Sequence, residues 1–236
     1  MKRCAILLSG LYRNVNNMEN IIEHIMKPNP IYQFDIIFSV WDITFKDCIA
    51  DTNANINEDK FITTDVNELI NIYNPVKYSI MNYKEFDRQL QNSDIIQKFV
   101  KNNNTFNYRA IERSIFQFYT CENVINTLEE YEIQNNMKYD TIIRYRFDLF
   151  TNNPIILNNY NLNNVHGINR LPYIPDWLYI GNNTNMKQLM KIYRKIENYE
   201  IKCDSPENIF FKNMDNSILF DIPDSFVLNK HGHYQY

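Results

Sequence analysis

Apolar positions along the chain fall into two kinds of run that alternate. Short, nearly continuous apolar stretches occur at Arg3–Ser9 (RCAILLS) and Phe34–Val40 (FDIIFSV), the pattern of strands covered on both faces. Between them Ile21, Ile22, Ile25 and Met26 recur at helical spacing and predict a helix over Asn16–Met26, closed by Pro28 and Pro30. The polar stretch 43–64 reads as loop, Val66–Tyr73 as a short helix, and Val76–Met81, entered through Pro75, as a third strand. The clearest periodicity runs from Tyr108 to about Asn135, where Ile111, Ile115, Phe118, Cys121 or Glu122, Ile125 and Leu128 recur at steps of three and four. Asp140–Leu149 and Trp177–Gly181 read as further strands and Met186–Ile196 as a helix. Ser205–Met214 reads as a short helix with Ser205 at its N-cap and Pro206 at N1. Strands alternating with helices predict a mostly parallel, doubly wound α/β sheet, with residues 1–236 forming a single domain.

Composition narrows the function classes. The chain has 236 residues and a net charge of −4, from 24 Lys and Arg against 28 Asp and Glu, with no basic block longer than a pair. That balance argues against nucleic acid as a partner, since phosphate neutralisation needs a local cationic surplus. A 44% hydrophobic and 14% aromatic content argues against a disordered chain. The skew to 37 Asn and 33 Ile against 4 Gly and 4 Ala is that of AT-rich codons, so the asparagines carry no assigned function and each glycine is worth locating. No apolar run is long enough for a transmembrane segment. The start, MKRC followed by AILL, fits a first strand better than a signal peptide. Cys4, Cys48, Cys121 and Cys203 lack metal-ligand spacing and are expected as reduced thiols of a cytoplasmic protein.

Candidate chemistry concentrates at the ends of the proposed strands, where open α/β sheets bind ligands. In the segment TIIRYRFDL, residues two apart share a face, so Arg144, Arg146 and Asp148 are expected on one side and Ile143, Tyr145, Phe147 and Leu149 on the other. An Arg there can fork onto phosphate oxygens, and an Asp can hold a divalent cation bridging a diphosphate; a self-contained Arg–Asp–Arg ladder is the competing reading. Ser9, Gly10 and Arg13 follow the first strand, with Gly10 allowing close backbone approach to a ligand. They match neither a Walker loop nor a GxGxxG fingerprint. Trp41 and Asp42 close the second strand and offer an aromatic wall and a carboxylate for a ribose or base, or else a helix cap beside a core Trp.

With SGLYRN, FSVWD, IIRYRFDLF, PDWLYIG and SPENIF in this order, the chain over roughly 3–215 resembles small GT-A-type glycosyltransferases of bacterial surface-polysaccharide clusters and large DNA viruses. The resemblance implies a Rossmann-like half at 1–150 that binds a nucleotide-diphosphate sugar and an acceptor-binding half at 151–236. It implies hexosyl or pentosyl transfer to a saccharide hydroxyl of an oligosaccharide or glycan, in the cytoplasm, or the host cytoplasm if viral. Arg146-Phe147-Asp148 then takes the place of an Asp-x-Asp motif, with Asp148 a ligand for Mn²⁺ or Mg²⁺ and Arg146 replacing the first Asp. His231 and His233 are candidates for the same metal. Asp176 and Glu207 are candidate catalytic bases, Glu207 equally explained by the dipole of a helix start. His166 either lines the donor-sugar pocket or lies in a surface loop. A sugar nucleotidyltransferase and a non-catalytic α/β binding module are the alternative functions.

Overall fold

Five consecutive residues of the first apolar run, Cys4 to Leu8, are wholly buried, because the strand that carries them, β1 (Lys2–Gly10), has helices on both faces. A computed structural model describes residues 1–13, 15–45, 61–95, 108–168, 177–198, 200, 218–223 and 226–228. After β1 come α1 (Met18–Ile21), which runs on as a π turn over Ile22–Met26, and β2 (Tyr32–Trp41). The stretch expected as loop at 43–64 instead carries a small antiparallel ladder, β3 (Ile43–Phe45) with β4 (Phe61–Thr63). α2 (Val66–Tyr73) starts where Asp65 accepts the backbone N–H of Glu68 and stops at Asn74, whose φ of 42° breaks the helical path. β5 (Lys77–Met81) follows.

Two helices then cross to the other side of the sheet. α3 (Tyr83–Asn92) was not expected from the pattern; Asn82 caps it by accepting from Glu85 N at 2.8 Å, and Phe86 and Leu90, one turn apart, are its buried residues. α4 (Tyr108–Gln134) matches the predicted long helix. β6 (Thr141–Tyr145) is half the length expected: its ladder ends at Tyr145, residues 146–148 turn, and β7 (Leu149–Thr151) pairs antiparallel with β11 (Phe226–Leu228). After one 3-10 turn at Leu157–Asn159 come β8 (Val165–Ile168) and β9 (Leu178–Asn182). The helix expected over Met186–Ile196 is two, α5 (Asn183–Met190) and α6 (Ile192–Glu197), broken at Lys191. β10 (Ile218–Ile222) completes the main sheet, and the helix expected at Ser205–Met214 lies outside the described residues.

The main sheet has the order β10-β8-β9-β6-β1-β2-β5, with β9 antiparallel to both neighbours and the other pairings parallel. This is the expected mostly parallel, doubly wound α/β architecture. Alternation along the strands divides the core. Cys4, Ile6 and Leu8 pack with Ile21 of α1, Ile25 of the π turn that follows it, and Leu69 and Tyr73 of α2. Ala5, Leu7 and Ile37 pack on the opposite face with α3 to α6. Each fully buried Leu or Ile contributes about 1.5–3 kcal/mol. Gly181 on β9 belongs to this packing: a Cβ would lie 3.2 Å from Asn164 O, Val165 Cγ2 and Met186 Cγ.

The chain path also locates a point where the connections part to opposite faces of the sheet. From β1 it moves through β2 to β5 on one side, then returns over the other face to lay β6 against the free side of β1. The loops after β1 and β6 therefore leave a topological switch point at the carboxyl ends of parallel strands, where Leu8 pairs with Tyr145 and Gly10 with Val40.

Candidate functional site

Two buried aromatic rings bring the loops of the switch point together. Tyr12, just past β1, packs edge-on to Phe147 in the turn after β6, with ring centroids 5.8 Å apart. Phe147 is held in turn against Tyr73 and Phe38 at 5.7 and 6.3 Å. The residues flanking these anchors are the charged ones. Arg146 places Nε 2.9 Å from Asp148 Oδ1 and Nη2 2.9 Å from Oδ2, a two-pronged contact, and Arg13 Nε lies 3.3 Å from Oδ2. Asp148 is 3% exposed at its side chain, against 17% for Arg13 and 19% for Arg146. Burial alone pushes its carboxyl pKa up, but Arg146 and then Arg13 outweigh this, and the group is held below the usual carboxylate value.

Asparagine clamps fix the turn from below. Asn17 is fully buried; its Nδ2 donates to the carbonyls of Arg146 at 3.1 Å and Leu149 at 3.0 Å, while its Oδ1 accepts the Tyr73 hydroxyl at 2.8 Å. Asn20 exchanges bonds with the backbone of Thr151, donating to its O and accepting from its N, both at 2.9 Å. Asn29 does the same for the next segment, donating to Ile155 O and accepting from Leu157 N at 2.7 Å. Sequence reasoning assigned no role to the asparagines. Nothing local separates these three from the rest of the 37 in the chain.

The remaining candidates divide by position. Arg144 is not beside Arg146 and Asp148 on one strand face as expected, because β6 ends at Tyr145; it is buried in the sheet, level with Leu7 of β1 and Tyr179 of β9. Ser9 is buried at the carboxyl end of β1, and its Oγ has no hydrogen-bond partner among the described residues. Gly10 has φ of +113° with open space where a Cβ would point, so its backbone bend, and not crowding, calls for glycine. Asp42 is half-buried and accepts Tyr83 N at 2.9 Å, fastening the end of β2 to the start of α3. Trp41 is no open wall: it is buried among Tyr83, Phe86, Phe116 and Tyr119. His166 is not in a surface loop: it is buried in β8, with Nε2 2.8 Å from Asn161 O. Asp176, Glu207, His231 and His233 lie outside the described residues.

This geometry bears on the expected Mn²⁺ or Mg²⁺. Both oxygens of Asp148 already accept from guanidinium groups. A cation on either oxygen would stand roughly 4–5 Å from those positive charges. Two unit charges at 4 Å repel by about 4 kcal/mol at an effective dielectric constant of about 20, and a divalent ion doubles this. Among the described residues no group of three His, Cys, Asp or Glu is gathered to hold a metal. The arrangement fits an anion set against fixed guanidiniums.

No protein-family model matches the sequence, and no curated protein does. Among solved structures, the chain is similar to the glycosyltransferase GlyE of Streptococcus pneumoniae TIGR4, at TM-score 0.39 and 8% identity over 94% of this chain. To the apo form of GlyE the values are 0.37 and 13% over 93%. In both, the chain spans 45% of GlyE's length.

Proposed function

We propose that the chain is a glycosyltransferase of GT-A type that moves a sugar from a nucleotide-diphosphate sugar to a saccharide hydroxyl in glycan synthesis. The observation that carries this reading is the meeting of Arg13 and Arg146 on buried Asp148 at the switch point between β1 and β6. Guanidiniums fixed in orientation there suit a diphosphate, which presents several oxygens to planar donors. The buried Ser9 hydroxyl at the same strand ends adds a polar group for the donor.

In this reading residues 1–150 bind the nucleotide sugar and 151–236 the acceptor. The bond from the anomeric carbon to the diphosphate oxygen breaks, and the acceptor oxygen bonds to that carbon. The acceptor proton passes to a carboxylate, for which Asp176 and Glu207 are the proposed groups. Arg13 and Arg146 offset the negative charge that grows on the departing diphosphate. A thermal-shift screen over nucleoside diphosphates and nucleotide sugars tests this. A ligand at a hundred times its Kd adds about 2.7 kcal/mol, or about 5–10 °C in Tm for a domain of this size. No shift with any of these ligands refutes the reading.

A further inference from the structure

We infer that Asp148 is a positioning residue that sets the planes of the Arg13 and Arg146 guanidiniums, and that the diphosphate binds here without a divalent cation on that carboxylate. The inference rests on the nucleotide-sugar reading above and gives the diphosphate-neutralising role to arginine. Its basis is geometric. A carboxylate that serves a metal turns lone pairs toward the ion. Asp148 does the reverse: Oδ1 and Oδ2 are both taken by Arg146, and Oδ2 also faces Arg13.

The surroundings leave the carboxylate little room to change partners. Leu149 N bonds to Arg146 O at 3.2 Å across the turn, and Asn17 holds that same carbonyl and the next strand from beneath. Phe147, between the two charged residues, is wedged against three buried rings. Swinging Asp148 toward a cation would therefore strip a two-pronged bond from Arg146 inside a turn pinned on both sides. A fixed guanidinium meets phosphate oxygens without ordering a long side chain at the moment of binding.

The test uses the intact chain and UDP, GDP, CDP and ADP as probes, titrated calorimetrically with Mn²⁺ or with EDTA. Expected are affinities that agree within about twofold between the two buffers, and a loss of about tenfold or more in both for Asp148→Asn, from disordering the guanidiniums. Manganese EPR supplies a readout independent of turnover: adding protein to Mn²⁺ and the bound nucleoside diphosphate should take up no more ion than the nucleotide alone. Binding seen only with Mn²⁺, together with ion uptake that Asp148→Asn abolishes, overturns the inference and leaves the glycosyltransferase reading standing. Binding of no nucleotide in either buffer overturns both. The wild-type comparison of the two buffers decides the matter even if the variant fails to fold.

Discussion

Replacing Asn17 by Leu is expected to be among the most damaging single changes in this chain. The side chain is fully buried and makes three bonds: two donated to the carbonyls of Arg146 and Leu149, and one accepted from Tyr73. Leucine has about the same size, so little cavity opens and the cost falls on the stranded partners. A buried polar group left without its bond costs about 1–3 kcal/mol. A group that keeps another partner lies at the low end, as Arg146 O keeps Leu149 N and the Tyr73 hydroxyl keeps Val15 O at 3.4 Å. Three such groups together give about 3–5 kcal/mol, a large share of the roughly 5–15 kcal/mol that holds a domain folded. Urea unfolding followed by circular dichroism measures the loss directly. Tyr73→Phe removes the bond to Asn17 and the longer one to Val15 O and should cost about 1–2 kcal/mol, with the double variant less damaging than the sum because both changes act on the Asn17–Tyr73 bond. A loss below about 1 kcal/mol for Asn17→Leu would refute the clamp as a structural element.

Other expectations follow from the same geometry. Gly10→Ala should lose about 1–3 kcal/mol through its φ of +113° alone, since the added methyl meets nothing within 4 Å; an unchanged urea midpoint would contradict this. The folded-state pKa of Asp148 lies below its unfolded value of about 3.9, so its pairing adds stability that is fully present above that pH and drains away as pH falls through the lower, folded value. The stability gap between wild type and Asp148→Asn should therefore be flat near neutrality and shrink in acid; a gap that widens in acid reverses the assignment. Glu132 is buried where α4 meets α5 and takes Tyr139 N at 3.0 Å, Asn183 and the Lys187 ammonium. Glu132→Leu should cost about 1.5–3 kcal/mol by taking the nearer of its two carboxylates from mostly buried Lys187 and leaving it Glu129 at 3.8 Å, and adding Lys187→Met should recover part of that loss.

Much of the frame was legible in the sequence because it depends on short-range pattern. The runs in β1 and β2 declare strands covered on both faces, and the period of α4 declares a helix lying on a sheet. α3 escaped notice because Phe86 and Leu90, its buried residues, sit in an otherwise polar stretch. Its Asn82 and Glu85 did form a readable start signal. β7, β8 and β11 are three or four residues long and owe their existence to ladders with distant partners. The antiparallel course of β9 likewise leaves no mark in its own residues.

The candidate site divides in the same way. Sequence alone singled out Arg13, Arg146 and Asp148, since charges beside apolar strand ends are costly unless they are paired or used. It could not say that the three touch. The early end of β6 turns Arg146 and Asp148 off the strand face and leaves Arg144 behind in the sheet. Tyr12 and Phe147 then bring Arg13, just past the end of β1, to the pair. The tertiary structure also decided which asparagines matter, because Asn17 gains its role only where a carbonyl 129 residues away closes on it. Hydrophobic pattern sets which face of an element is buried, a property of neighbouring residues. Which buried polar groups meet depends on loop closure over more than half the chain, for which neighbouring residues hold no record.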